Sequence, residues 1–201
     1  MRKVFLDTET SGLAPGSIAQ LSYIEETENF EVIAKNYFFD VDYITRGAEE
    51  VTGRNADFYK EASQGKKFAD YSDELFEKLS NCTLIAHNLP FDENFISAEF
   101  WRLNKVFKPA DRFDTMVYFK DVCKLKNTRG SGYKNPKLEE LVDYFNLDKN
   151  KIEQYSEKLF NIKSNGFHDA MYDTTSMFVA FQIQREILNG GNNWINTFVT
   201  K

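Results

Sequence analysis

Three short segments of this 201-residue chain hold acidic and imidazole side chains at spacings that could build one reactive site. The first is Phe5-Leu6-Asp7-Thr8-Glu9-Thr10. Strand side chains alternate between faces, so Asp7 and Glu9, two apart, point the same way. Two carboxylates on one face repel each other unless a cation lies between them. A hard divalent ion such as Mg²⁺ or Mn²⁺ suits oxygen ligands at that spacing. A pair of solvated acids at a strand end is the other reading of the same pattern.

The second segment is Ala86-His87-Asn88-Leu89-Pro90-Phe91-Asp92. A strand runs into a turn, and Asp92 falls in the first turn of the following helix, where the helix dipole favours an acid whatever its function. The same position is the C-terminal edge of a strand, where sites in α/β sheets gather. His87 could be a ligand or base, or its ring could satisfy backbone groups at the turn. The third segment runs from Gly166 through His168 and Asp169 to Asp173. In one continuous helix His168 and Asp173 would point about 140° apart. With His168 in a loop before the helix, which Gly166 allows, both reach one site. Asp169, four before Asp173, is the rival ligand, although an acid at a helix start needs no function.

The elements that must position these residues follow from the hydrophobic pattern. Residues 3–6, 18–24 and 30–39 are strand-like, with a polar turn at 25–29, which predicts an antiparallel meander. Phe68, Tyr71, Leu75 and Leu79 recur at helical steps, 83–86 is a short apolar strand, and Pro90 opens a helix to about 103. Helices are expected over 114–124 and 138–145, with the Gly-rich segment 127–133 between them. A last long helix should start near Asp169, carry Val179, Ile183 and Ile187 on one stripe, and stop at Gly190-Gly191. This order indicates an α/β sandwich with a mixed central sheet.

Taken together, Phe-Leu-Asp-Thr-Glu-Thr-Ser-Gly-Leu (5–13), Ala-His-Asn-x-x-Phe-Asp (86–92) and His-x-Ala-x-x-Asp (168–173) resemble the three exonuclease motifs of the DEDDh family. That family includes the proofreading subunit of bacterial replicative DNA polymerase, ribonuclease T and oligoribonuclease. The resemblance implies a ribonuclease H-like fold with a mixed five-stranded sheet flanked by helices, in one exonuclease domain spanning 1–201. It implies that Asp7, Glu9, Asp92 and Asp173 hold two divalent ions, Mg²⁺ or Mn²⁺, and that His168 is the general base. Thr8, Leu13, Asn88 and Phe91 resemble residues near the terminal nucleotide. The implied activity is 3′–5′ exonucleolytic hydrolysis of a single-stranded 3′ end, releasing 5′-mononucleotides, with DNA put ahead of RNA. An exoribonuclease of the same family is one alternative, and a non-catalytic nucleic-acid-binding module is another. The segment Val51-Thr52-Gly53-Arg54-Asn55 departs from the His-Gly-Ile-Thr-like run common in relatives.

Composition sets the outer limits. Hydrophobic residues at 42% and charged residues at 28% are a normal globular balance, and 19 Phe with 10 Tyr supply core material. Two cysteines without a CxxC pair imply neither a disulfide framework nor structural zinc. No run of about 18 apolar residues could span a membrane. Met1-Arg2-Lys3 leads straight into a strand, so a cytoplasmic protein is expected. Net charge is −6, yet residues 120–137 hold Lys120, Lys124, Lys126, Arg129, Lys134 and Lys137 against the single acid Asp121. Lys124, Lys126 and Arg129 are therefore candidate phosphate contacts, with a solvated loop as the alternative. No polymerase motif is present, and a polymerase or repair partner is left open. The tail 190–201, with Trp194, Ile195, Phe198 and Val199, is expected to pack on the body.

Overall fold

Odd and even residues of the first strand belong to two different cores, and this division places the acids. The computed structural model describes residues 1–13, 16–128, 130–164 and 166–190. Arg129 and the tail residues Trp194, Ile195, Phe198 and Val199 lie outside the described residues. Strands β1 (Lys3–Thr10), β2 (Ile18–Glu26), β3 (Val32–Phe38), β4 (Thr83–Ala86) and β5 (Asp111–Asp114) form one sheet in the order β3-β2-β1-β4-β5. The pairs β1–β2 and β2–β3 are antiparallel, whereas β1–β4 and β4–β5 are parallel. The sheet is therefore mixed, with the antiparallel meander expected from the sequence at one side.

Helices follow as α1 (Arg46–Thr52), α2 (Ala56–Ala62), α3 (Ser72–Ser80), α4 (Leu89–Arg102), α5 (Thr115–Cys123), α6 (Leu138–Tyr144), α7 (Lys149–Phe160) and α8 (Ala170–Leu188). A 3-10 turn at Phe68–Tyr71 leads into α3. On one sheet face Val4, Leu6, Leu21, Tyr23 and Leu84 pack with Leu75 and Leu79 of α3 and with Phe95, Ile96 and Phe100 of α4. On the other, Phe5, Ile24 and Ile85 pack with Val142 of α6, Ile152 of α7 and Met171, Phe178 and Val179 of α8. Asp7 and Glu9 have the same parity as Phe5 and so face α8. Thr8 has the opposite parity and faces α4.

The element limits differ from the sequence reading where local signals are weak. Strand β2 continues through Glu26, whose carboxylate is buried against Lys3, Gln182 and Arg185, so polar residues at 25 and 26 are strand and not turn. β3 begins at Val32, two residues later than expected. Asp114 ends strand β5 and caps α5, accepting from Met116 and Val117 N–H, so the expected helix from 114 is preceded by a four-residue strand. Ile187, expected on the buried stripe of α8, is exposed, while Val179 and Ile183 are buried. The heavy aromatic content is largely core. Cys82 and Cys123 are buried free thiols, and no helix among the described residues is long and apolar enough to cross a membrane.

Phe5 shows how firmly α8 is held. Its ring meets Phe178 and Phe181 edge-on, with centroids 5.1 Å away in each case. Phe5→Ala should destabilise the protein by about 3–5 kcal/mol, the usual range for removing a buried aromatic ring. Urea unfolding would measure it, and a loss below about 1 kcal/mol would mean that this contact does not hold α8 to the sheet.

Candidate active site

The site lies where β1 and β4, running parallel, reach their C-terminal ends. One carboxylate oxygen each of Asp7, Glu9 and Asp173 lies within 4.8 Å of the others. Period-two alternation supplies the first two. α8 supplies the third, since Asp173 follows its N-cap Asp169 by one helical turn. Asp92 approaches from the opposite face, in the first turn of α4. Its Oδ1 accepts both the N–H of Thr8 at 3.0 Å and the Thr8 hydroxyl at 2.8 Å. Thr8 thus fastens Asp92 to β1 across 84 residues of sequence.

His168 sits in the turn before α8 at φ +66°, a left-handed conformation, and its side chain is exposed. Its backbone N–H donates to Asp173 Oδ2 at 3.1 Å. The loop placement that Gly166 allows is the one observed, with the side chain exposed and the backbone N–H on the acid. The rival, Asp169, is fully buried and differently engaged. It caps α8 at Met171 N–H, accepts from Gln20 Nε2 at 2.9 Å and pairs with Arg54 at 2.7 Å. His87 is also engaged at both nitrogens: Nε2 donates to the Pro136 carbonyl at 2.9 Å, and Nδ1 lies 3.0 Å from the Thr115 hydroxyl. Burial holds its pKa below the ordinary histidine value. It ties the end of the 124–137 loop to the end of β4.

The acids strain one another electrostatically. Burial first, and then the charges of Asp92, Asp173 and Glu9, push Asp7 well above the usual carboxylate range. Glu9 is raised in the same way by burial and by Asp173 and Asp169, with Arg54 pulling it down. Burial lifts Asp92 to about 7 against the pull of the two Thr8 hydrogen bonds. Burial lifts Asp173 to about 8, with Asp169 adding and the His168 N–H opposing. Among the described residues no ion pair reaches Asp7, Glu9, Asp92 or Asp173, and buried Oδ1 of Asp173 has no hydrogen-bond partner. An all-oxygen donor set with unbalanced charge fits a hard divalent cation.

Beside Glu9 a cleft of about 380 Å³ opens between Leu13, Phe91 and the α1 wall of Thr45, Ala48, Val51 and Thr52. Gly12 lets the Leu13 loop lie against that wall, because a Cβ there would come within 2.8 Å of Thr45 Cγ2. Leu13 is 92% exposed. Asn88 turns the chain into α4 at φ +79°, a conformation asparagine tolerates. Lys124 and Lys126 are exposed on the loop after α5, whose strands touch through a Lys126–Tyr133 bridge. Among the described residues neither pairs with the acids. Lys134, by contrast, is paired with Glu140. The residue that the sequence reading missed is Arg54, visible there only as a departure in the 51–55 segment.

Comparison with known proteins adds the family and the fold. A family model described as "Exonuclease" (RNase T) matches residues 4–181. DNA polymerase III subunit epsilon of Rickettsia conorii is 29% identical over 132 residues, covering 61% of this chain and 56% of that one. The 3′-5′ exonuclease DinG of Staphylococcus epidermidis is 37% identical over 57 residues, 28% of this chain and 6% of that one. The chain therefore spans about half, or far less, of the length of these relatives. E. coli exonuclease I in complex with a dT13 oligonucleotide superposes with a TM-score of 0.65 at 18% identity, covering 94% of this chain and 43% of that one. At that identity the likeness establishes the fold, the mixed α/β sheet described above.

The raised acids make stability depend on pH in a defined direction. Their folded pKa values lie above the unfolded ones, so their contribution is lost as pH rises from the ordinary carboxylate range through about 7 and about 8. In chelator, that loss should lower Tm between about pH 4 and about pH 8, and the Tm gain on adding Mg²⁺ should grow over the same window. Thermal melts with and without metal would show it. A gain that shrinks with rising pH would contradict the site as described.

Proposed function

This chain belongs to the DEDD family of 3′–5′ exonucleases, and from that membership we propose that it removes nucleotides from the 3′ end of single-stranded DNA, releasing 5′-mononucleotides. The observation that carries this reading is the convergence of Asp7, Glu9 and Asp173, with Asp92 adding its charge from the opposite face and no ion pair to any of them among the described residues, beside an exposed histidine and an apolar cleft. Asp7, Glu9, Asp92 and Asp173 would hold two divalent ions, Mg²⁺ or Mn²⁺. Bound there, such ions supply Lewis-acid stabilisation of the phosphodiester and ease ionisation of the attacking water. His168 takes a proton from that water at the rim, the water oxygen attacks phosphorus, and the bond to the leaving 3′ oxygen breaks, that oxygen gaining a proton. Thr8 sets the position of Asp92 while lining the cleft. Leu13 and Phe91 flank the terminal nucleotide, and Asn88 shapes the turn beneath it.

DNA is taken as substrate because the epsilon relative is a DNA polymerase subunit and the exonuclease I structure holds a deoxythymidine oligonucleotide. The same likeness makes a polymerase or a repair enzyme the partner class to test. The RNase T name of the matching family model keeps an exoribonuclease as the second reading. Matched 5′-labelled DNA and RNA strands of one sequence decide between them. Faster shortening of RNA than of DNA would replace the first reading with the second.

Two sets of variants test the chemistry and the binding surface. Asp7→Asn should nearly abolish nucleotide release with the melting curve retained. His168→Ala should lower kcat by about 10²–10⁴ while leaving divalent-ion binding unchanged. Full activity of either variant would remove that residue from the mechanism. Neutralising Lys124, Lys126 and Arg129 together should weaken single-strand binding evenly across sequences. It should also flatten the log–log salt slope by about 0.7 per lost contact. Kd measured against salt in Ca²⁺ reads both, and an unchanged slope would return the loop to a solvated surface.

A further inference from the structure

Arg54 follows Gly53, the left-handed C-cap of α1, and its side chain turns inward until it is 5% exposed. The guanidinium lies over the ring of Phe58 at 4.8 Å and that of Phe38 at 5.6 Å. Nη2 meets Asp169 Oδ2 at 2.7 Å, and Nη1 meets Gln20 Oε1 at 2.7 Å. Gln20 Nε2 in turn donates to the other Asp169 oxygen at 2.9 Å, closing a three-membered ring of side chains. Gln20 stands opposite Glu9 in the β1–β2 register, and Asp169 stands one helical turn before Asp173. The ring therefore touches the neighbours of two of the clustered acids without touching the acids' own oxygens. A planar fork fixed by two acceptors and an aromatic face holds its partners in a way a lysine could not.

We propose that Arg54 is a positioning residue of the active site. It pairs with Asp169 and so keeps that carboxylate from joining the cluster as a competing oxygen ligand, which leaves the position at the start of α8 to Asp173. Asp169 has the placement of a ligand, on the sheet-facing side of α8 one turn from Asp173. What separates the two acids is the partner: Arg54 for Asp169, and no cation among the described residues for Asp173. The inference rests on the exonuclease reading for its kinetic consequences and on geometry alone for its consequences in metal binding.

The test compares Arg54→Met, Asp169→Asn and the double variant, each by thermal melting, Mn²⁺ titration calorimetry and release of nucleotides from a 5′-labelled DNA strand. Methionine keeps the apolar stem between the phenylalanine rings, and asparagine keeps the helix cap. Arg54→Met leaves Asp169 unbalanced beside the cluster. It should bind Mn²⁺ at least about threefold more tightly than the unaltered protein, with kcat at least about tenfold lower and KM within about threefold. Asp169→Asn leaves the cation unbalanced and should bind Mn²⁺ at least about threefold more weakly. The double variant removes the competing carboxylate and the cation together and should recover kcat to within about threefold of the unaltered protein. A purely packing role for Arg54 would lower melting temperature, Mn²⁺ affinity and kcat together in both single variants, with no recovery in the double; that result overturns the proposal. If Arg54→Met gives no cooperative melt, the double variant should still bind Mn²⁺ more tightly than Asp169→Asn, and equal or weaker binding overturns it. If the unaltered protein binds Mn²⁺ but releases no nucleotide, the exonuclease reading fails, and opposite shifts of Mn²⁺ affinity in the two single variants still uphold the role of Arg54.

Discussion

Repulsion among buried and half-buried carboxylates at one end of the sheet is the constraint to which the rest of the molecule is fitted. Asp7, Glu9 and Asp173 bring oxygens within 4.8 Å of one another, and Asp92 adds its charge from behind. In a medium less polarisable than water, such charges interact several times more strongly than at the surface. Without a cation the acids respond by holding protons well above their usual range. An all-oxygen cluster of this kind suits a hard divalent ion in place of those protons, and under the proposed function such an ion would make a polyanion an acceptable neighbour.

Holding such a cluster together requires rigid supports on both faces of β1. Phe5 and the aromatic residues of α8 provide one, on the face from which Asp7 and Glu9 project. The Thr8–Asp92 contacts provide the other, through the strand to α4. Arg54 and Gln20 add a third support at the N-terminus of α8, where the buried Asp169 would otherwise increase the repulsion. Each support joins elements far apart in the chain. The cleft beside Glu9 is apolar and open by contrast, and its wall, α1 with the Leu13 loop, carries no buried residue in the helix itself. Chemistry is thus fixed by core packing, whereas the surface that would meet a nucleotide is built from less constrained parts.

The parts legible in the sequence were those with local signatures. Alternation placed Asp7 and Glu9 together, Pro90 located the start of α4 and with it Asp92, and Gly166 allowed the loop that carries His168. The five-stranded sheet was reached through family resemblance. Residues 111–114, which form β5, show too little hydrophobic alternation to read as a strand. Helices α1, α2 and α7 were not anticipated, since α1 buries none of its residues and α2 only Tyr59. The Arg54–Asp169 pair spans 115 residues, and no local periodicity encodes a contact of that kind. The same holds for Thr8, a residue that the family resemblance sets near a terminal nucleotide and whose hydroxyl bonds here to Asp92.

The most direct measurement of the central claim is anomalous diffraction from a crystal soaked in Mn²⁺ at about pH 8, at the upper end of the range through which Asp92 and Asp173 release their protons. The expected result is an anomalous peak bounded by Asp7, Glu9 and Asp173, at metal–oxygen distances of about 2.0–2.3 Å. A crystal in which Mn²⁺ orders elsewhere, with those three carboxylates still facing one another and no peak between them, would contradict it.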